Sequence, residues 1–378
     1  MRQKPKRQCG AMSSQIFSAP RTLLEKWAML SVTQPLSQSV CANDSAYLAS
    51  TGVSKLGWRQ FRRAAYYGLC GHAANCCQNI QPHWRRGLWL YKGISQIGDA
   101  LMDLAPRSLL TANGLAIDLF SDTHICELFE GDSWFGQVFS SIDLMQTDHY
   151  DFVIVPSNKK RSLGHKRGPL AKLPWVSMHG FYTGPEFNRA DFAAQRLFDA
   201  LGIIGTLDEL QNHAVQKLAP LISPHSSNKI QNESPVKIAF ALGGVDCHRT
   251  YSKWENVALS IVTNKPIDLT LLGSSNAILA ADKFLAAWPY RLTNMVNKTN
   301  LTQCRRIINE QDLLIASDGG LMHLGITTKT KLISLFPSHI RPEWRLPKSM
   351  QINSITSMSR NVSDIDPNII ANKIMQEL

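Results

Sequence analysis

Long apolar runs are missing from this sequence of 378 residues. Nowhere do about 18 apolar residues follow one another, so no segment reads as a bilayer-spanning helix. Cysteine is thinly spread, at positions 9, 41, 70, 76, 77, 126, 247 and 304. The spacing shows no even framework, which points to reduced thiols in a cytosol rather than to disulfides. Residues 1–7 are basic, but residues 8–18 are not the apolar core of a secretory signal. Helix-turn-helix, zinc-finger and RNP patterns are likewise wanting, so no module for reading nucleic acid is expected. Acidic residues are the scarcer charge, Asp+Glu 29 against Lys+Arg 40, for a net charge of +11. A D-x-D carboxylate pair, the usual metal handle beside a diphosphate, occurs only at Asp364-Ile365-Asp366. There Asp366-Pro367 reads as the cap and first turn of a helix instead.

What is present suits a folded enzyme. With 44% hydrophobic and 18% charged residues, the chain can build two packed domains and an appendage. The positive balance calls for an anionic partner, which could be nucleic acid, a phosphorylated glycolipid or the anionic membrane surface, and charge does not choose among them. Residues 1–85 form an N-terminal extension, polar and basic to residue 18, then helical in spacing over 21–31 and 55–75. Arg59, Arg62 and Arg63 lie there beside Trp58, Phe61, Tyr66 and Tyr67, either as a docking face or as a helical cap with core aromatics and solvated arginines. Cys70, His72, Cys76 and Cys77 contain metal-binding residue types but no second C-x2-C pair to close a tetrahedron. Buried thiols are the alternative, and no metal is expected.

From Arg86 the pattern becomes strand, loop, helix. Residues 88–92 read as a buried strand, 93–98 as a loop and 99–111 as one amphipathic helix. Residues 114–120 and 150–156 read as further strands. The loop SNKKRSLGHKR after the latter puts Lys159, Lys160, Arg161, Lys166 and Arg167 at a strand's C-terminal end, where ligands of open α/β sheets bind. A solvated basic loop is the alternative. Residues 186–202 form an amphipathic helix with a glycine stop, closing a domain over 86–219. Three prolines and four serines in 220–235 mark a linker, and 236–378 form the second domain. Its centre is QDLLIASDGGLMHLG, a strand, the turn Asp318-Gly319-Gly320, and a helix. Such a turn aims amides at an anion, its glycines admit a diphosphate, and Asp318 can accept from a sugar hydroxyl.

Taken in order, Asn294–Leu301, the helix after it, Ser317-Asp318-Gly319-Gly320 with His323, Leu335-Phe336-Pro337 and Pro342…Trp344 resemble the donor half of the ADP-heptose:lipopolysaccharide heptosyltransferases. Residues 94–101, ISQIGDAL, resemble that family's opening loop. The resemblance spans roughly residues 86–378 and implies an α/β GT-B fold, two Rossmann-like domains facing across a cleft, with the last helix often returning across the first domain. It also implies an inverting, metal-independent transfer of heptose from ADP-heptose to a lipopolysaccharide core or related glycan, on the cytoplasmic face of the inner membrane. The nucleotide-sugar is then a substrate and no cofactor is needed. Asp99 would be the catalytic base, although Gly-Asp before an apolar helix equally suits an N-cap; Asp118 and Asp122 are the fallback bases. Ser95 and Gln96 would line the acceptor side with the basic loop. Arg249, with Lys253 as fallback, would contact the diphosphate. Gly243, Gly244, Gly273, Asp318, Gly319, Gly320 and His323 would shape the donor site. Ser274, Ser275 and Asn276 stand where the family usually has acidic residues, leaving the donor sugar and base open. Protein hydroxyls as acceptors, with residues 1–85 for docking, and a non-catalytic nucleotide- or glycan-binding module are the alternatives.

Overall fold

The computed structural model describes residues 22–41, 43–221, 235–262 and 266–378. The basic start of the chain and nearly all of the expected linker lie outside them. Two parallel six-stranded sheets form the body. In the first, β1 (Cys76–Cys77), β2 (Arg86–Tyr91), β3 (Ala116–Ser121), β4 (Val138–Phe139), β5 (Phe152–Val155) and β6 (Trp175–Ser177) lie in the order β1-β6-β5-β2-β3-β4. In the second, β7 (Val236–Ala241), β8 (Ile267–Leu272), β9 (Leu292–Asn294), β10 (Leu313–Ser317), β11 (Lys331–Phe336) and β12 (Asn353–Thr356) lie in the order β12-β11-β10-β7-β8-β9. Parallel strands covered by helices on both faces need continuous apolar runs. Residues 87–91 and 313–316 supply them and are buried throughout. In both sheets the chain reverses direction beside the first long strand, β2 or β7, and ligand crevices of doubly wound sheets open at that point. The fold is therefore α/β of GT-B type.

Several boundaries differ from the sequence expectation. The helix expected over 99–111 is two, α4 (Ile97–Asp103) and Arg107–Ala112, because Pro106 cannot supply the N–H that continuation would need. The extension does not end cleanly at residue 85, since Cys76 and Cys77 pair with Trp175 and Val176 as an edge strand of the first sheet. The last helix, Pro367–Glu377, is capped by Asp366 as expected, but it stays on the second domain. Its Ile370, Ala371 and Ile374 join the core around Trp254 and Val257 instead of crossing to the first domain.

The extension is bound tightly to the first domain. Its α1 (Leu23–Met29) and α3 (Val53–Leu69) pack together, with α2 (Asp44–Thr51) between them in sequence. The buried Gln60 amide donates to Ser31 Oγ and to the Phe181 carbonyl, each at 2.9 Å. Tyr66 and Tyr67 turn inward, Tyr67 against Trp175 and Phe181, whereas Trp58 and Phe61 face outward. Both expectations for these aromatics are thus met in part. His72 is buried beside Tyr66 and Trp175, and among the described residues no group of three His, Cys, Asp or Glu is arranged to hold a metal.

At the exit of the first domain, Arg107 is almost fully buried. Its Nε and NH2 donate to Asp132 at 3.0 and 2.6 Å, and NH2 also to the Lys217 carbonyl at 2.6 Å. The rings of Phe129 and Trp134 lie 4.8 Å from its guanidinium. Removing one partner of such a pair leaves an uncompensated buried charge. Arg107→Ala should therefore lower the unfolding free energy by roughly 3–5 kcal/mol in a urea titration; a loss below about 1 kcal/mol would mean that water already reaches the pair.

Candidate active site

Two helix starts meet at the domain boundary. Ile97 opens α4, and a Cβ on Gly320 would lie 2.5 Å from the Ile97 side chain. One residue on, a Cβ on Gly98 would lie 2.5 Å from the ring of His323, on the Gly320–Ile326 helix. A side chain at Gly98 would have to displace the buried His323 ring, and one at Gly320 the end of the Ile97 side chain. Gly320 is therefore small for Ile97, not for a diphosphate as expected from the sequence. His323 is corrected likewise. It is buried, its Nδ1 meets Gln216 Oε1 at 2.9 Å, and burial pulls its pKa down to about 4, so it joins the domains as a neutral ring instead of facing a donor.

Asp99 is the third residue of α4, and Gln96 holds the cap position. Its carboxylate makes no capping bond and pairs with Arg189 NH1 at 2.9 Å, partly open to solvent. The N-cap alternative for Asp99 is thereby set aside. The other face of Arg189 grips Asp103, Nε at 2.8 Å and NH2 at 2.7 Å. Asp103 also accepts from Tyr91 Oη at 2.9 Å and meets His179 Nε2 at 3.0 Å. Burial alone would push the Asp103 carboxyl up, but Arg189 and His179 outweigh it and hold it below the usual carboxylate range. Both fallback bases are occupied. Asp118 is buried against Arg86, Tyr150 and the Gln137 amide, while Asp122 pairs with Lys92 and accepts from the Gly93 amide.

On the facing domain, Asp318 ends β10 with its side chain buried. Arg249 NH1 stands 3.4 Å from Oδ2, and Arg345 Nε 3.6 Å from Oδ1. Both oxygens thus face arginines, so Asp318 orients two guanidinium groups. Arg345 NH1 continues to Glu186 Oε2 of the first domain at 3.1 Å. Gly319, in extended backbone, is open: a Cβ there would meet nothing nearer than the Ser317 carbonyl at 3.7 Å. Gly243, at φ +78, and Gly273 are pressed against Ala277, and Gly244 against Thr250. They shape the loops beside Arg249 instead of lying bare to a ligand. Lys253 is half-buried just before the helix Trp254–Val262 and has no ion pair among the described residues.

A cleft of ≈ 1180 Å³ opens between the domains, with Asp99, Arg189 and His179 on one wall and His339, Arg341 and Arg345 on the other. Of the five basic loop residues, only Lys159 and Arg161 line it. Lys160 turns its ammonium over the Tyr66 ring, and Lys166 is buried, donating to the Ala171 carbonyl at 2.7 Å. Arg167 is exposed outside the cleft, as are Ser95 and Gln96; the Ser95 carbonyl accepts from His124 Nε2 at 2.9 Å. Arg189 and Arg345 were not singled out from the sequence. Their only signals were Asn-Arg at a helix start and Trp-Arg after the last motif.

Comparison with known proteins follows this geometry. Residues 209–367 match the model of glycosyltransferase family 9 (heptosyltransferase). The second half of the chain thus resembles glycosyltransferase family 9. A family 9 glycosyl transferase from Veillonella parvula DSM 2008 superposes with a TM-score of 0.62 at 14% identity, over 79% of this chain and 98% of that one. The E. coli ADP-heptose LPS heptosyltransferase II gives 0.55 at 16%, over 78% and 98%. E. coli heptosyltransferase WaaC, solved with ADP, gives 0.56 at 13%, over 78% and 100%. At these identities the structures share the fold alone. No curated protein sequence compared matches. The match over residues 209–367 supports sugar transfer as the reaction class.

If the diphosphate contacts Arg249 and Gly319, as the sequence resemblance implies, two variants test it. Arg249→Ala removes a charge-assisted contact and should weaken ADP binding about tenfold or more in calorimetry. Gly319→Val has room to fold, yet places a branched chain before the helix amides; it should melt like the parent and bind ADP more weakly. If both variants bind as the parent does, the diphosphate lies elsewhere.

Proposed function

We propose that this chain is a family 9 member, an inverting glycosyltransferase that moves a sugar, heptose from ADP-heptose first, onto a hydroxyl of a lipopolysaccharide core or related glycan at the cytoplasmic membrane face. The observation that carries this reading is the meeting of the two helix starts. It sets Asp99 on one wall of a cleft whose other wall holds Arg345, with Asp318 and Arg249 linked to it behind that wall. One oxygen of Asp99 is held by Arg189. The other is left to take the proton from an acceptor hydroxyl as it attacks the anomeric carbon from the face opposite the nucleotide. Charge growing on the departing diphosphate falls to Arg249, Arg345 and the amides at Gly319 and Gly320. A protein hydroxyl as acceptor is the second reading, and it gains from the extension's presence in the cleft, where Tyr47 and Ser50 of α2 form part of the lining.

This chemistry needs no divalent cation. The D-x-D carboxylates are spent locally, Asp364 accepting from Ser359 Oγ and Asp366 from the Asn368 amide. Turnover of ADP-heptose should therefore survive EDTA; loss restored by magnesium would overturn the mechanism.

Asp99→Asn separates base from scaffold. Because Asp99 does not cap α4 and its ion pair is partly solvated, the change should cost no more than about 1 kcal/mol. ADP should bind normally while kcat falls by a factor on the order of 100 or more. A near-normal kcat would remove Asp99 from the chemistry.

A further inference from the structure

We infer that the N-terminal extension completes the acceptor pocket, and that Arg63 of α3 joins Lys159 and Arg161 of the first domain in a subsite for an anionic group, phosphate or carboxylate, on the acceptor sugar. The inference rests on the glycosyltransferase reading and assigns the extension a part in selecting the acceptor.

Its first support is position. The extension is not a detachable cap, because α2 presses on the loop that walls the cleft. Tyr47 Oη donates to the Thr183 carbonyl at 3.1 Å, and its ring leaves no space for a Cβ on Gly184. The Thr183 amide donates to the Ser31 carbonyl at 2.8 Å, and Tyr182 Oη to Cys41 Sγ at 3.1 Å. Cys41, Ala46, Tyr47 and Ser50 consequently belong to the cleft lining itself. Beside them α3 packs on the Lys160–Leu163 helix, with Tyr66 under the Lys160 ammonium; Arg63, one turn before Tyr66, sits behind the cleft lining, close enough for its charge to act on Lys159 and Arg161.

The second support is charge. Lysines and arginines lining the cleft outnumber its carboxylates six to four. Three of those carboxylates are already paired, Asp99 with Arg189, Glu186 with Arg345 and Asp191 with Lys348. Lys159 and Arg161 have no carboxylate partner among the described residues, and the Arg63 guanidinium meets only the Gln60 carbonyl oxygen, at 3.5 Å. Like charges held together without a counter-ion are costly unless something supplies the anion. The cost is visible at Lys159. Burial first, then Arg63, Arg189 and Arg161, pull its pKa down to about 8, against a weaker upward pull from Asp103. An arriving phosphate or carboxylate reverses those influences and favours the ammonium. With a depressed lysine pKa the sign is fixed: affinity is full below about 8 and falls as pH rises through it.

The experiment uses the full chain, without nucleotide, titrated by calorimetry with glucose 6-phosphate, glucuronate and, as the neutral control, glucose. At least one charged sugar should bind and glucose should not, the charged arm naming phosphate or carboxylate as the group recognised. Arg63→Met and Lys159→Met should each weaken that binding about tenfold. Arg63→Lys should recover part of it, and all three variants should bind ADP as the parent does. Raising the pH from neutrality to above 9 should weaken the parent and leave Lys159→Met unmoved. Equal binding of glucose, no binding of either charged sugar at millimolar concentration, or an Arg63→Met variant indistinguishable from the parent would overturn the assignment. Because the donor is absent, failure here leaves ADP binding on the second domain standing, and failure of the ADP titrations leaves this result standing.

Discussion

Everything proposed for this molecule depends on how closely α4 and the Gly320–Ile326 helix approach each other. Gly98 against the His323 ring and Gly320 against the Ile97 side chain let the two helices, from separate domains, pack closely. The apolar core runs on through that contact, from Ala100 and Leu101 to Met322 and Leu324. Two independently folded sheets therefore meet in one orientation, set by packing that tolerates little adjustment. Asp99, one residue from Gly98, inherits its place opposite the arginines from this contact.

Around it the polar groups form two clusters with the same construction. In each, a buried carboxylate is surrounded by groups that would otherwise point elsewhere. Asp103 collects Tyr91, His179 and two nitrogens of Arg189, leaving the third to hold Asp99. Asp318 collects Arg249 and Arg345, and Arg345 reaches on to Glu186. A buried carboxylate is costly alone and stable when satisfied, so each fixes the guanidinium groups beside it with little freedom. Fixed donors are what a reaction that moves charge through a diphosphate requires.

The sheets were legible in the sequence because parallel strands announce themselves as unbroken apolar runs; Lys331–Phe336 was read to the residue. Short edge strands such as Cys76–Cys77 and Val138–Phe139 were not, since two residues carry no period. Pro106 could have been read as a helix break and was passed over. At the site, Asp99, Arg249 and Asp318 could be picked out by motif, but their partners could not. The importance of Arg189 lies in Asp103 and Asp99, some 90 residues earlier in the chain, and local sequence carries no trace of that. Gly320 was picked out for the wrong reason: a glycine's need for space is visible in sequence, whereas the neighbour that needs the space is not.

The same limit explains the basic loop. Five cations in SNKKRSLGHKR looked equivalent, and only the turn of the Lys160–Leu163 helix tells them apart. Lys159 precedes that helix and, with Arg161, reaches the cleft, while Lys160 is drawn to Tyr66 and Lys166 to the Ala171 carbonyl. Two of those placements involve α3, directly or through Arg63. A GT-B fold without these helices would leave Lys160 without its aromatic partner and the cleft without part of its lining. The extension is thus part of the electrostatics of the cleft, and the net charge of +11 is not spread evenly as a solubility device. Part of it is held, unpaired, where an anion can enter.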